Sequence, residues 1–337
     1  MQIHAYAAHQ AKDKLAPWDY QKPDLKPNDV EVKISHCGIC HSDIHLIDDD
    51  WKMSRFPLVP GHEVVGTVTQ TGSAVTLLKS GDRVGIGWQS GSCGTCEWCL
   101  SGQDNMCSKA QPTCVGRHGG FADSIITSER FAFKLPDNLE SENAAPLLCA
   151  GVTVFSPYRL YQVKEGMKVA VLGIGGLGHL AVQFANKLGF ETTAISGSPD
   201  KATEAKDLGA HHFLLNSDPA ELKSKANSFD FILTTVSASL DWMPYMNMLR
   251  PNGKLCFVGA TGGNITVPTG LLLGRQKSIC GSNIGGVKVM NEMLEFAAKH
   301  QVVAKTEVMP MNQVNDAIEK VRHNQARYRM VLETGDK

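Results

Sequence analysis

Long apolar runs are missing from this chain, and so is any imbalance of charge. Lys and Arg total 33 against 34 Asp and Glu, a net charge of −1. The electrostatic footprint of a nucleic-acid binder or a membrane-surface protein is therefore absent. No stretch approaches the roughly 20 apolar residues that cross a bilayer. The opening segment MQIHAYAAHQAKDK lacks the apolar core of a secretory signal. Charged tails, internal repeats and low-complexity segments are also lacking. These absences lead us to expect a cytoplasmic enzyme with small-molecule partners, no nucleic acid and no membrane.

Cysteine, by contrast, is plentiful. Ten occur in 337 residues, and a reducing compartment argues against disulfides, so their spacing carries the information. Cys93, Cys96, Cys99 and Cys107 form a C-x2-C-x2-C-x7-C run. Four thiolates that close in sequence can wrap one tetrahedral ion and leave no position open, which reads as a structural zinc. Iron–sulfur ligation is the metal alternative for such a run.

The length suits two domains better than one core. Residues 1 to about 148 show short apolar runs broken by Pro, Gly and Asp, as in VEVKISHCG and HEVVGTVTQTG, the pattern of strands and turns. From KVAVLG (168–173) onward, strand and helix alternate. Leu177, Leu180, Ala181, Phe184, Ala185 and Leu188 fall on one helical face, followed by strand FETTAIS, helix DKATEAKDLG, strands HFLL and FDFILTT, a helix around 240–249 and strand KLCFVGA (254–260). Such alternation predicts a doubly wound parallel sheet. The tail carries two helical stretches, NEMLEFAAKH and MNQVNDAIEKV, and a closing strand YRMVLE expected to return to the first domain. The polar loop DDDWKMSR (48–55) reads as a lid or pocket wall.

Gly173, Gly175, Gly176 and Gly178, with Leu177 between the last two, follow a strand and open an apolar-faced helix. In that context the glycines let a dinucleotide pyrophosphate approach the helix N-terminus. The next strand ends AISGSPDK. An NAD enzyme carries an acid there for the ribose 2′-hydroxyl; this chain offers Ser196, Gly197, Ser198 and Lys201. Hydroxyls and an ammonium suit a 2′-phosphate, so NADP(H) is the expected cofactor.

Single Cys and His residues elsewhere are weak signals. Cys40 in CGICHSD, His62 and Glu63 in PGHE, and Cys149 in PLLCAGVT form a scattered set of the kind a fold gathers into an open zinc site. Cys37, Cys114, Cys256 and Cys280 read as core thiols.

Those three segments, the cysteine lobe, GGFAD (119–123) and the glycine-rich turn occur together and in order. The chain thereby resembles the zinc-containing medium-chain alcohol dehydrogenases over its whole length. The branch it resembles is that of cinnamyl-alcohol-dehydrogenase-like enzymes. SLDWMPYMNML and ARYRMVL look closest to bacterial NADPH-dependent aldehyde reductases.

The resemblance implies an α/β chain. A GroES-like β-rich catalytic domain (1–149 and 286–337) would join a Rossmann domain (150–285), with the ligand cleft where they meet. It selects Cys40 over Cys37 as zinc ligand, with His62 and Cys149. Ser42 would bond the substrate oxygen and start a proton relay through the cofactor ribose to His45. Asp43 would orient His62, and Glu63 would transiently replace water on the zinc. Thr153, Thr235, Gly259, Ser282, Asn283 and Ile284 would complete the nicotinamide cleft. Trp51, Met53, Trp88 and Ile284 would line the substrate pocket. Asn283 departs from the aromatic residue of the plant cinnamyl enzymes, which turns the expectation toward aldehydes of broad type. Two zincs per chain, NADP(H) and a homodimer joined near 278–281 complete the implied picture.

The rivals are a zinc-free quinone or enone reductase, which should lack the Cys and His set, and a polyol dehydrogenase, which should carry a carboxylate in place of Cys149. A zinc-ribbon nucleic-acid binder is disfavoured by the charge and the embedded glycine turn. A purely structural role is disfavoured by the intact candidate set.

Overall fold

Alternating strands and helices between 168 and 281 assemble into one parallel sheet in the computed structural model, which describes residues 1–259 and 263–335. The strands are β1 (Lys168–Leu172), β2 (Glu191–Ser196), β3 (His212–Leu215), β4 (Phe229–Thr234), β5 (Leu249–Phe257) and β6 (Ser278–Gly281). Their order is 3-2-1-4-5-6, every neighbouring pair parallel. That order reverses direction between β1 and β4, as in doubly wound sheets.

Helices α1 (Gly178–Lys187), α2 (Lys201–Asp207), α3 (Pro219–Ser224), α4 (Met243–Met248) and α5 (Thr269–Leu273) connect them. The apolar stripe of α1 puts Leu180, Ala181, Phe184 and Ala185 in the core, as its 3.6-residue period requires. The helix expected around 240–249 is shorter than its apolar pattern. Pro244 sits in its first turn, and from Leu249 the chain is already strand, paired with Phe229. Ala260, the last residue of the expected strand 254–260, lies outside the described residues.

By its contacts the chain forms two units, Met1–Cys149 with Gly285–Lys337, and Ala150–Ile284. The first is built on a seven-stranded, mostly antiparallel sheet whose longest strand is Asp29–Ile39. The closing strand, Arg329–Glu333, lies antiparallel to it, so residues 300 positions apart share one core. Glu63–Thr71 flanks the same strand on its other side. Cys40 and His62 thus emerge side by side, one just past a strand end and the other just before a strand start.

The 48–55 loop is pinned rather than free. Asp48 pairs with Arg322 at 2.5 and 2.7 Å, Ser54 Oγ donates to Leu46 O at 2.6 Å, and Ser54 N donates to Asp49. It is held at both ends. Among the described residues no helix is long and apolar enough to cross a membrane.

Candidate active site

Cys40 follows the long strand and caps the helix His41–Asp48. Its amide donates to Asp43 Oδ2 at 3.0 Å. The same buried carboxylate accepts Gly61 N at 2.9 Å and His62 Nδ1 at 2.8 Å through its other oxygen. Asp43 therefore fixes a helix start, a glycine turn and an imidazole together. Gly61 is required there: φ is +100°, and a Cβ would sit 2.6 Å from the Phe121 ring. With Nδ1 engaged, His62 directs Nε2 inward, and that atom is buried without a partner.

The partner it lacks is chemically specified. Ligand atoms of Cys40, His62, Glu63 and Cys149 all lie within 4.8 Å of one another, every residue buried. Cys40 and Cys149 sulfurs are 4.0 Å apart. A tetrahedral zinc with Zn–S bonds of about 2.3 Å spreads two sulfurs about 3.8 Å apart. The spacing fits a shared ion, and a disulfide at about 2 Å is excluded. Two thiolates and one imidazole leave a fourth position, the donor set of a catalytic zinc.

The two thiols are hydrogen-bonded to each other. The hydrogen bond from Cys149 holds Cys40 well below the usual thiol range and pushes Cys149 well above it. Burial works against a charged His62, but the Asp43 carboxylate and then Cys149 outweigh it and hold the imidazole well above its usual range. Metal binding at such a site must release protons, so affinity should rise with pH.

Glu63 is fully buried and its carboxylate is ion-paired with Arg329, itself buried in the closing strand. Burial pushes Glu63 up to about 7, with Arg329 opposing. Its free oxygen Oε2 sits over Gly38, where a Cβ would lie 2.0 Å away. Arg329 escaped the reading of the sequence, although an arginine inside the apolar run YRMVLE was a visible signal. Cys114, read as a core thiol, is buried in the core and also flanks the cluster: beside His62, it donates to Gly61 O at 3.1 Å. Cys37 and Cys256 are buried and Cys280 half-buried, as core thiols should be.

Ser42 lies 3.7 Å from the Cys40 sulfur. His45, half-buried on the same helix, bonds Asp50 at 2.8 Å through Nδ1, a partner not foreseen. Its ring lies 5.0 Å from Trp51, Trp51 is 6.0 Å from Trp88, and Trp88 meets the His62 ring edge-on at 4.9 Å. Trp51 and Trp88 thus form an aromatic path leading to the cluster. Met53 stays exposed at 37%.

The four-cysteine lobe closes on itself. Cys93 and Cys99 sulfurs are 3.8 Å apart, Cys96 and Cys99 3.5 Å, and Cys107 joins the group. Backbone amides of Cys96 and Lys109 point at the sulfurs of Cys93 and Cys107, each at 3.3 Å. The amides of Thr95 and Cys96 hold Cys93 down at about 5, whereas burial pushes Cys99 up to about 11. The spacing again matches a tetrahedral ion, and no fourth position remains.

Asp104, fully buried, anchors the lobe: it accepts from Ser92 at 3.0 Å and from Arg130 Nε at 2.9 Å, while Arg130 also reaches Cys99 O. Arg130→Met leaves that carboxylate with Ser92 as its remaining side-chain donor, and each hydrogen bond to a charged group is worth about 1.5–3 kcal/mol. Zinc release from the lobe to a chelator should then speed up at least tenfold, read as the slow phase of a colorimetric release assay.

In the other unit the glycine-rich turn has the shape a dinucleotide needs. Gly173 turns at φ +90°, and Thr235 Oγ1 donates to Gly173 O at 2.8 Å and to Leu172 O at 3.1 Å. A Cβ on Gly178 would sit 1.8 Å from Gly173 O, whereas one on Gly175 would meet nothing within 4 Å. Gly178 is thus a close helix–strand contact, and Gly175 a face left open. Gly176 and Leu177 complete the turn, half-buried.

Ser196 ends β2, accepting Ser198 N on its hydroxyl at 3.2 Å while its own O–H stays a donor. Gly197 leaves room beside Asn216, and Lys201 Nζ donates to Ile174 O at 2.6 Å across the turn. Thr153 is buried in the helix Ala150–Leu160. Gly259 packs against Val236 O, where a Cβ would lie 2.7 Å away. Past β6, Ser282 N donates to Phe257 O while its buried hydroxyl has no partner, and Ile284 turns at φ 38°. Asn283 lies between them.

These two units, one with a four-sulfur lobe and an open-sided thiolate–imidazole cluster, the other with a dinucleotide turn, define a metal-site oxidoreductase. Residues 26–137 match the alcohol dehydrogenase GroES-like domain family, and residues 176–299 match the zinc-binding dehydrogenase family. The chain belongs to the zinc-containing medium-chain alcohol dehydrogenases, in the branch of cinnamyl alcohol dehydrogenases and aldehyde reductases.

It is 44% identical to the aldehyde reductase AdhA of Synechocystis over 98% of each chain. A cinnamyl alcohol dehydrogenase from Sorghum bicolor superposes with a TM-score of 0.94 at 40% identity, covering 99% of this chain and 98% of that one. The Helicobacter pylori enzyme of the same name, complexed with NADP(H), does so at 0.91 and 31%, with the same coverage. The GroES-like and Rossmann-type folds expected from the sequence are both present.

Proposed function

We propose that the chain is a zinc-dependent, NADP(H)-linked oxidoreductase that interconverts primary alcohols and aldehydes, working as an aldehyde reductase of broad specificity. The observation that carries this reading is the partnerless Nε2 of His62 facing two sulfurs at zinc spacing. Zinc bound there supplies Lewis acidity toward the substrate oxygen, and NADP(H) supplies or accepts the hydride.

The rest falls to side chains. Cys40, His62 and Cys149 hold the ion, and Asp43 keeps His62 in one tautomer. Ser42 gives a proton to the substrate oxygen in reduction. His45, its Nδ1 engaged by Asp50, exchanges protons with solvent. Glu63, steadied by Arg329, lies close enough to the ligand atoms to stand in for water. Trp51 and Trp88, with Met53, give an apolar wall for an aliphatic or aromatic aldehyde.

A second zinc closes the Cys93–Cys96–Cys99–Cys107 lobe, giving two per chain. Thr153, Thr235, Gly259, Ser282 and Asn283 face the nicotinamide in this reading. The chain pairs as a homodimer along β6, the outermost strand of its sheet. The cytoplasm suits it, because thiolate ligands need a reducing compartment.

Preference for NADPH rests on the end of β2. Ser196, Ser198 and Lys201 supply donors and a cation where a carboxylate would repel a 2′-phosphate. Two such bonds at about 1.5–3 kcal/mol each allow a preference of roughly a hundredfold. Ser196→Asp should shift the ratio of kcat/KM for NADPH over NADH, with one aldehyde, toward NADH by at least tenfold. A wild type that favours NADH, or a ratio indifferent to the change, puts the discrimination elsewhere.

A further inference from the structure

A cavity lies within the parallel-sheet unit, its lining reaching Asn216, the neighbour of Gly197. It is a cleft of about 790 Å³ between α3, α4 and α5, within the range that takes a small organic ligand. Leu222, Leu240, Pro244 and Leu271 give it apolar walls, with the amides of Asn227 and Asn247 among its polar groups. One end is cationic. Lys277 is buried at 7% exposure, and its ammonium makes a single hydrogen bond, to Met246 O at 2.7 Å. Among the described residues no carboxylate pairs with it, and Arg275 beside it is equally without an acid.

A buried ammonium facing a cavity with only a carbonyl for company is costly unless an anion completes it. Burial, and then the charge of Arg275, already depress Lys277 below the usual lysine range.

The cationic end is not the cofactor's. Lys277 directly precedes β6 and Asn227 lies just before β4, so both stand where strands begin. The glycine turn and Ser196 stand where β1 and β2 end. In a parallel sheet those are opposite edges, roughly 15–20 Å apart for strands of this length. Asp241, also in the lining, accepts Met243 N on its carboxylate at 3.0 Å.

We propose that this cleft binds a small organic monoanion, a carboxylate on an apolar body, with its charged group on Lys277 and Arg275. The planar guanidinium suits a carboxylate's two oxygens, and the leucines and prolines cover the body.

The test is calorimetric titration of octanoate into the zinc-loaded protein saturated with NADPH, with octanol and inorganic phosphate as comparison probes. Octanoate should bind, octanol and phosphate at least tenfold more weakly. Lys277→Gln and the surface change Arg275→Gln should each weaken octanoate at least fivefold, and Cys40→Ala should leave it unchanged. Arg275→Gln guards against a Lys277 variant that folds poorly. Absence of binding, or binding lost in Cys40→Ala and kept in both cleft variants, overturns the proposal. Phosphate binding as tightly as octanoate overturns the apolar-body assignment with it.

Discussion

Cys40→Ala should lower kcat/KM for aldehyde reduction by at least about a thousandfold, a loss of roughly 4 kcal/mol in transition-state stabilisation. The change removes one of three close donors. His62 and Cys149 remain, 4.0 Å of sulfur–sulfur contact is gone, and the ion loses a charge that balanced it. The fold should survive, because Asp43 still ties Gly61 and His62 together and needs only the backbone amide of residue 40.

Cys37→Ala is the matched control, three residues away and equally buried, packed against Gly61 and Gly120. It should cost about 1 kcal/mol of stability and leave turnover within twofold. Metal content by mass spectrometry should drop by one zinc in the first variant and by none in the second. The reverse pattern would mean that the wrong cysteine has been assigned.

Gly178→Ala should be nearly as damaging, by a different route. Its Cβ would stand 1.8 Å from Gly173 O and 2.8 Å from Gly173 C, both backbone atoms of the turn. Neither can swing away as a side-chain end could, so the start of α1 must lift off β1. Thr235, whose hydroxyl clips the same carbonyl, loses its geometry too. We expect a stability loss of about 3 kcal/mol and an NADPH dissociation constant raised at least a hundredfold.

Gly175→Ala separates the two effects. Nothing lies within 4 Å of its Cβ, so the melting temperature should hold while cofactor affinity falls, because the methyl enters the space a pyrophosphate would use. Equal melting losses in both variants, or full affinity in Gly175→Ala, would contradict that division of labour.

Local motifs were legible where the chemistry is local. The lobe spans 15 residues, and its spacing pointed to the four cysteines that the structure groups together. The glycine turn was readable because strand, turn and helix adjoin in sequence. The helix at 243–248 was overread, since an apolar pattern cannot register that Pro244 starts it late and pairing with β4 ends it early. Partners distant along the chain stayed hidden. Arg329 meets Glu63 across 266 positions, and Arg322 meets Asp48 across 274. Hydrophobic periodicity records which face is buried, not which charge waits there. The Asp50 partner of His45 was missed for a smaller reason: three consecutive aspartates look alike until the helix end turns one of them back.

Zinc content followed against turnover tests the central claim most directly. The purified protein, treated with a graded chelator, is assayed at each step for bound zinc and for NADPH-dependent aldehyde reduction. The account predicts two zincs per chain. Activity should fall to zero in step with loss of the first, from the open Cys40–His62–Cys149 site, while the lobe's zinc is retained, and should return when zinc is restored. Undiminished turnover in protein stripped of that first zinc would contradict it.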